Sequence, residues 1–138
     1  MTADLFSRPL FWVVVIAAIA VVAIALVAAR PQAQAAALSH VTVQQLHAAA
    51  NAGALVLDVR EPFEYAEGRV AGSQLVPLAT VGARVDDFAK DRPVFVVCRS
   101  GNRSLVAART LVEAGYTDVR NVDGGMIAWA AARLPVER

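Results

Sequence analysis

The chain has 138 residues, 57% of them hydrophobic, with one cysteine and a net charge of +1. A lone cysteine excludes an intrachain disulfide framework and a zinc site of paired cysteines, and near-neutrality argues against a nucleic-acid binder, which carries a basic excess along one face. The hydrophobic fraction is too high for an ordinary soluble domain, but the excess is local: residues 1–38 hold 29 hydrophobic residues, while residues 39–138 hold 50 and balance eleven basic against eleven acidic side chains.

Past a short flank, residues 1–9, Leu10 to Ala29 is a run of twenty apolar residues without a charge, Gly or Pro. At about 1.5 Å rise per residue, a helix of that length reaches the roughly 30 Å of a bilayer core. Arg8 and Arg30 bracket the run, and Trp12 lies near one end, where interfacial aromatics are favoured. Residues 10–29 are therefore expected to be a membrane segment. Ala33-Gln34-Ala35 has the small-x-small pattern of a signal-peptidase site, yet signal cores usually run about 7–15 residues, so a retained single-pass anchor is favoured over a cleaved signal. An anchor with its N-terminus inside, or a cleaved signal, would place the rest of the chain on the extracytoplasmic, periplasmic side. Residues 30–38 read as a tether and residues 39–138 as one compact domain.

Within that domain Thr42-Val43-Gln44-Gln45 opens a helix as a capping box, and Asn51-Ala52-Gly53 ends it. Ala54–Leu57 is a short apolar run between turn signals, as expected of a strand buried on both faces. Leu75-Val76, Val94–Val97 and, more weakly, Val119–Val122 repeat this pattern. Helical patterns lie between them at Leu78–Phe88, Arg103–Ala114 and Met126–Ala132. Strands alternating with helices predict an α/β fold, a parallel sheet flanked by helices. Ligands of such sheets bind beyond the carboxyl ends of the strands. Two strands end there in conspicuous polar residues, Asp58-Val59-Arg60-Glu61 and Cys98-Arg99-Ser100-Gly101-Asn102-Arg103-Ser104.

Cys98 stands where a buried strand stops and a helix is about to start. Converging backbone amides, the helix N-terminus and the charges of Arg99 and Arg103 all favour an anion there, and hence a nucleophilic thiolate. Gly101 is expected to supply the positive φ that curls the chain round the sulfur, and Ser104 to cap the helix.

This loop resembles the active-site loop of the rhodanese family, single-domain sulfurtransferases in particular. Leu57 through Gly68, Leu-Asp-Val-Arg-Glu-Pro-Phe-Glu-Tyr-Ala-Glu-Gly, is similar to the family's first signature, and Gly124-Gly125 followed by Trp129 to its C-terminal one. The likeness covers about residues 40–135. It departs at Arg69 and Ala71, where the family commonly has His and Pro.

The resemblance implies a ping-pong transfer of sulfane sulfur. Cys98 takes sulfur from a small anionic donor such as thiosulfate, holds it as a persulfide, and passes it to a thiol, cyanide or a protein thiol. The implied chemistry needs no cofactor. Cys98 would be catalytic, and Arg99, Ser100, Gly101, Asn102, Arg103 and Ser104 would form the binding loop. Asp58 and Arg60 would support the loop or pair with each other.

Two other readings stay open. A phosphatase or arsenate reductase would cradle an oxyanion in a similar loop, but phosphatase loops place five residues between Cys and Arg, and here only four separate Cys98 from Arg103. A non-catalytic binding or regulatory module is the other, although such modules often lack the cysteine. Glu61, Glu64 and Glu67 are expected on a solvated helix face, His40 and His47 at the surface without metal-ligand spacing, and Trp129 in the core.

Overall fold

A computed structural model describes Val13, residues 15–17 and residues 37–138. The rest of the expected membrane segment, residues 10–29, and most of the tether lie outside the described residues. Among the described residues no helix is long and apolar enough to cross a membrane. The chain divides into two units, Met1–Ala33 and Gln34–Arg138, and the fold below is that of the second.

Five strands, all parallel, form one sheet: β1 (Leu38–Val41), β2 (Leu55–Asp58), β3 (Gln74–Leu75), β4 (Val94–Val97) and β5 (Val119–Val122), in the order β1-β5-β4-β2-β3. The helices are α1 (Val43–Asn51), α2 (Pro62–Glu67), α3 (Asn102–Glu113) and α4 (Gly125–Ala131), with a 3-10 helix at Leu78–Arg84. The α/β expectation holds.

β4 is buried along its whole length, and its side chains alternate between two cores, as the pleat requires. Val94, Val96 and Cys98 join Leu57, Ala107, Ala108 and Leu111 on one face, whereas Phe95 and Val97 join Val56, Leu46 and Trp129 on the other. Helix α3 covers the first face, and α1 with α4 the second. Trp129 is core, as expected.

The capping box of α1 forms as the sequence predicts. The Gln45 amide donates to Thr42 Oγ1 at 3.2 Å, and the Thr42 amide to Gln45 Oε1 at 2.8 Å. Three elements differ from expectation. Leu38–Val41, read as tether and domain entry, is a strand on the sheet edge, paired with β5 from Leu38↔Val119 to Val41↔Val122.

The segment Leu78–Phe88 is not a regular helix. It makes a 3-10 helix to Arg84 and then turns, because Gly82 weakens a helix interior and the Tyr116 hydroxyl holds the Val85 carbonyl at 2.8 Å. Ser104 does not cap α3. Gly101, at φ 100°, turns the chain straight into the helix, so α3 begins at Asn102 and Ser104 is already inside it.

Candidate active site

β2 and β4 lie side by side with Asp58 opposite Val97, and the Val59 amide continues the ladder by donating to the Val97 carbonyl at 2.9 Å. The two polar strand tips therefore sit together at the carboxyl edge of the sheet, at the place the sequence indicates. Cys98 follows β4 directly. It is the only cysteine and has no exposed surface, so a reagent reaches its sulfur only when the loop above it opens.

The loop is held with its amides toward the sulfur and its carbonyls turned away. The Gly101 N–H donates to Cys98 Sγ at 3.1 Å. On the other side the Cys98 carbonyl accepts from the Met126 amide at 2.8 Å and the Arg99 carbonyl from the Ile127 amide at 3.0 Å. Those two donors belong to the first turn of α4, whose N–H groups have no partner inside their own helix. Docking α4 on the loop thus satisfies the helix and orients the loop in one step.

Burial pushes the Cys98 thiol up, but the Ser104 hydroxyl and the Ser104, Gly101 and Ser100 amides, all able to donate to a thiolate, outweigh it and hold the group below its ordinary value. The expected lowering is present, while its principal sources are these hydrogen bonds and not the flanking guanidinium groups. Ser104 is fully buried, and its Oγ lies 3.0 Å from the Gly101 carbonyl, to which it donates.

The two arginines part company. Arg99 is exposed and makes no ion pair among the described residues. Arg103, expected to face an anionic donor, is instead held by Glu64: both guanidinium nitrogens donate to the carboxylate, each at 2.7 Å. Glu64 was expected on a solvated face. Its side chain is only 13% exposed, because Arg103, in the first turn of α3, lies against it. The Arg103 hydrogen bonds lower its carboxyl pKa to about 2, against the opposing effect of burial. Glu61 and Glu67 are exposed, as expected.

Asp58 and Arg60 pair with each other. Arg60 Nη2 donates to Asp58 Oδ2 at 2.6 Å and Nε to both carboxylate oxygens, with Asp58 fully buried. The same guanidinium donates to the Glu64 carbonyl at 3.1 Å and the Gly68 carbonyl at 2.8 Å. It thereby fastens the C-terminal half of α2 to the tip of β2. Among the described residues neither makes a hydrogen bond to Cys98 Sγ.

Ser100 and Asn102 are exposed on the rim. An open cavity of about 560 Å³ lies beside the loop, lined by Arg60, Phe63, Glu64, Glu67, Arg99 and Ile127 among others. Phe63 and Ile127 are 67% and 54% exposed and form its apolar side.

Away from the loop, exposed His40 bonds Asp123 at 2.7 Å, and His47 packs edge-on to Trp129. Among the described residues no group of three or more His, Cys, Asp or Glu side chains is placed to hold a metal ion.

The rhodanese-like domain model matches residues 42–132 of this chain. A sulfurtransferase of Allochromatium vinosum is 40% identical over 82 residues, covering 59% of this chain and 77% of that protein. The thiosulfate sulfurtransferase GlpE of Pseudoalteromonas translucida is 34% identical over 97 residues, covering 70% and 92%. A solved structure of a rhodanese-related protein from Thermoplasma volcanium is similar with a TM-score of 0.65 at 33% identity, over 71% of this chain and 96% of that one.

Proposed function

Because the chain belongs to the rhodanese-like domain family, whose members similar to it include thiosulfate sulfurtransferases, we propose that it transfers sulfane sulfur through a persulfide on Cys98. The Cys98 thiolate attacks the outer sulfur of thiosulfate. A new S–S bond forms, the S–S bond of the donor breaks, and sulfite leaves with the electron pair. An acceptor thiolate or cyanide then attacks the outer persulfide sulfur, giving an organic persulfide or thiocyanate and returning the Cys98 thiolate. No net oxidant is consumed, and one cysteine suffices for the cycle.

The observation that carries this reading is the Gly101 N–H aimed at Cys98 Sγ at 3.1 Å, in a loop whose Cys98 and Arg99 carbonyls are turned to α4. Donors aimed in that direction stabilise a thiolate and the anionic sulfur that succeeds it. Arg99, exposed at the cavity, attracts the anionic donor.

The domain acts at a membrane, carried by residues 10–29 as a single-pass anchor on the extracytoplasmic side. That placement rests on the twenty uncharged apolar residues from Leu10 to Ala29. Protease added to intact spheroplasts should digest the domain; digestion only after lysis would place it in the cytoplasm.

The activity is tested by thiocyanate formation from thiosulfate and cyanide, with Cys98→Ser as control. Wild-type turnover that the substitution abolishes supports the mechanism. Equal turnover in both proteins would rule out Cys98 as nucleophile, and an inactive wild type that forms no persulfide would favour a non-catalytic module.

A further inference from the structure

The charged groups round the cavity cancel almost completely. Arg60 is paired with Asp58, and Arg103 with Glu64, leaving exposed Glu67 and exposed Arg99 as opposite charges without a partner among the described residues. A loop that carries two arginines within six residues of its cysteine therefore presents one free cation, and an acid faces the same space. A doubly charged anion gains little there from the second arginine.

We propose that Glu64 is a specificity-determining residue, which by occupying Arg103 weakens the site for dianionic sulfur donors relative to donors of lower charge. The geometry suits this role. Glu64 lines the cavity and reaches Arg103 from α2. Glu64 Oε2 also accepts from the Glu61 amide at 2.9 Å, so the carboxylate is held from two directions and is not free to swing away. A neutral donor, such as a protonated organic persulfide, loses nothing by this neutralisation and a singly charged one loses less than a dianion, and either would lay its carbon chain against Phe63 and Ile127. The proposal rests on the sulfurtransferase reading for its substrate but not for its electrostatics.

The test compares alkylation of Cys98 by iodoacetate, an anion, with alkylation by neutral iodoacetamide. In both, the thiolate displaces iodide and forms a thioether, so thiolate fraction and loop opening affect the two rates alike and cancel in their ratio. Glu64→Gln keeps an oxygen to accept from the Glu61 amide but frees the charge of Arg103. The iodoacetate-to-iodoacetamide rate ratio should rise about threefold in that variant at low salt and return toward the wild-type value near 1 M salt, where the screening length is about 3 Å. Glu64→Asp should leave the ratio unchanged, and Glu64→Gln with Arg103→Gln should restore it.

An unchanged ratio in Glu64→Gln, or rates that rise in parallel for both reagents, would overturn the proposal, the second outcome marking Glu64 as a loop clasp only. The KM for thiosulfate should fall in Glu64→Gln by a similar factor. A raised alkylation ratio in a protein with no sulfur transfer would leave the charge assignment standing and sink the functional reading alone.

Discussion

Gly125 lies so close to Cys98 that a methyl group on it would sit 2.3 Å from the Cys98 carbonyl oxygen and 2.7 Å from the Arg99 carbonyl. Both obstacles are backbone, and φ at Gly125 is +52°. No side chain can move aside to admit the methyl group. The Gly124-Gly125 pair is thus the surface against which the loop after Cys98 rests.

Gly125→Ala should accordingly displace the loop and abolish transfer while costing stability, by about 1–3 kcal/mol. Urea denaturation and the turnover assay would check this. Gly82→Ala is the control: it has open space and no positive φ, and it should stay within about 0.5 kcal/mol of wild type with full activity.

Asp58→Asn should be among the more damaging single changes, lowering stability by about 3–5 kcal/mol, because it leaves Arg60 buried without its counter-charge. Arg60 also bonds the Glu64 and Gly68 carbonyls, so loss of the pair loosens Glu64 as well. The midpoint of urea unfolding measures the first effect. A midpoint equal to wild type would mean the pair is not an effective strut.

Ser104→Ala should raise the pKa of Cys98. The hydroxyl has one proton, given to the Gly101 carbonyl in this structure, and its contribution to the lowered thiol pKa follows if that proton turns to the sulfur on ionisation. The pH dependence of iodoacetamide alkylation should move to higher pH in the variant. An identical profile would assign the lowering to the backbone amides alone.

Glu64 makes stability depend on acid. Its folded pKa, about 2, lies below the ordinary 4.5, so its contribution is complete above about 4.5 and is lost as pH falls through about 2. The amount is on the order of 1–2 kcal/mol, since Arg103 is partly solvated. Glu64→Gln should flatten that part of the stability curve between pH 5 and 2, measured by denaturant melts at successive pH values.

The sequence reveals what is local. Thr42 and Gln45 form their capping box within four residues, and the apolar run Val94–Val97 needs only its own composition to mark the central strand. The loop after Cys98 is legible for the same reason, with Gly101 adopting the positive φ expected of it.

What is missed depends on partners distant in the chain. Leu38–Val41 contains Ser39 and His40 and shows no apolar run; it is a strand because β5 offers it an edge some eighty residues later. Glu64 reads as one of three evenly spaced surface acids until Arg103, 39 residues on, is brought over it. Gly124-Gly125 is visible as a pattern, but its reason is a contact with Cys98 that no spacing within the motif discloses.

The pinned carbonyls also limit how this loop can change in length. Cys98 and Arg99 are tied to Met126 and Ile127, and the Gly101 carbonyl is tied to the Leu105 amide and the Ser104 hydroxyl. Ser100 lies between these moorings, and among the described residues no backbone amide holds its carbonyl. An inserted residue can therefore be absorbed only around Ser100, widening the ring outward into solvent while both ends stay in register. Laboratory evolution toward a roomier oxyanion pocket would have this single point of growth.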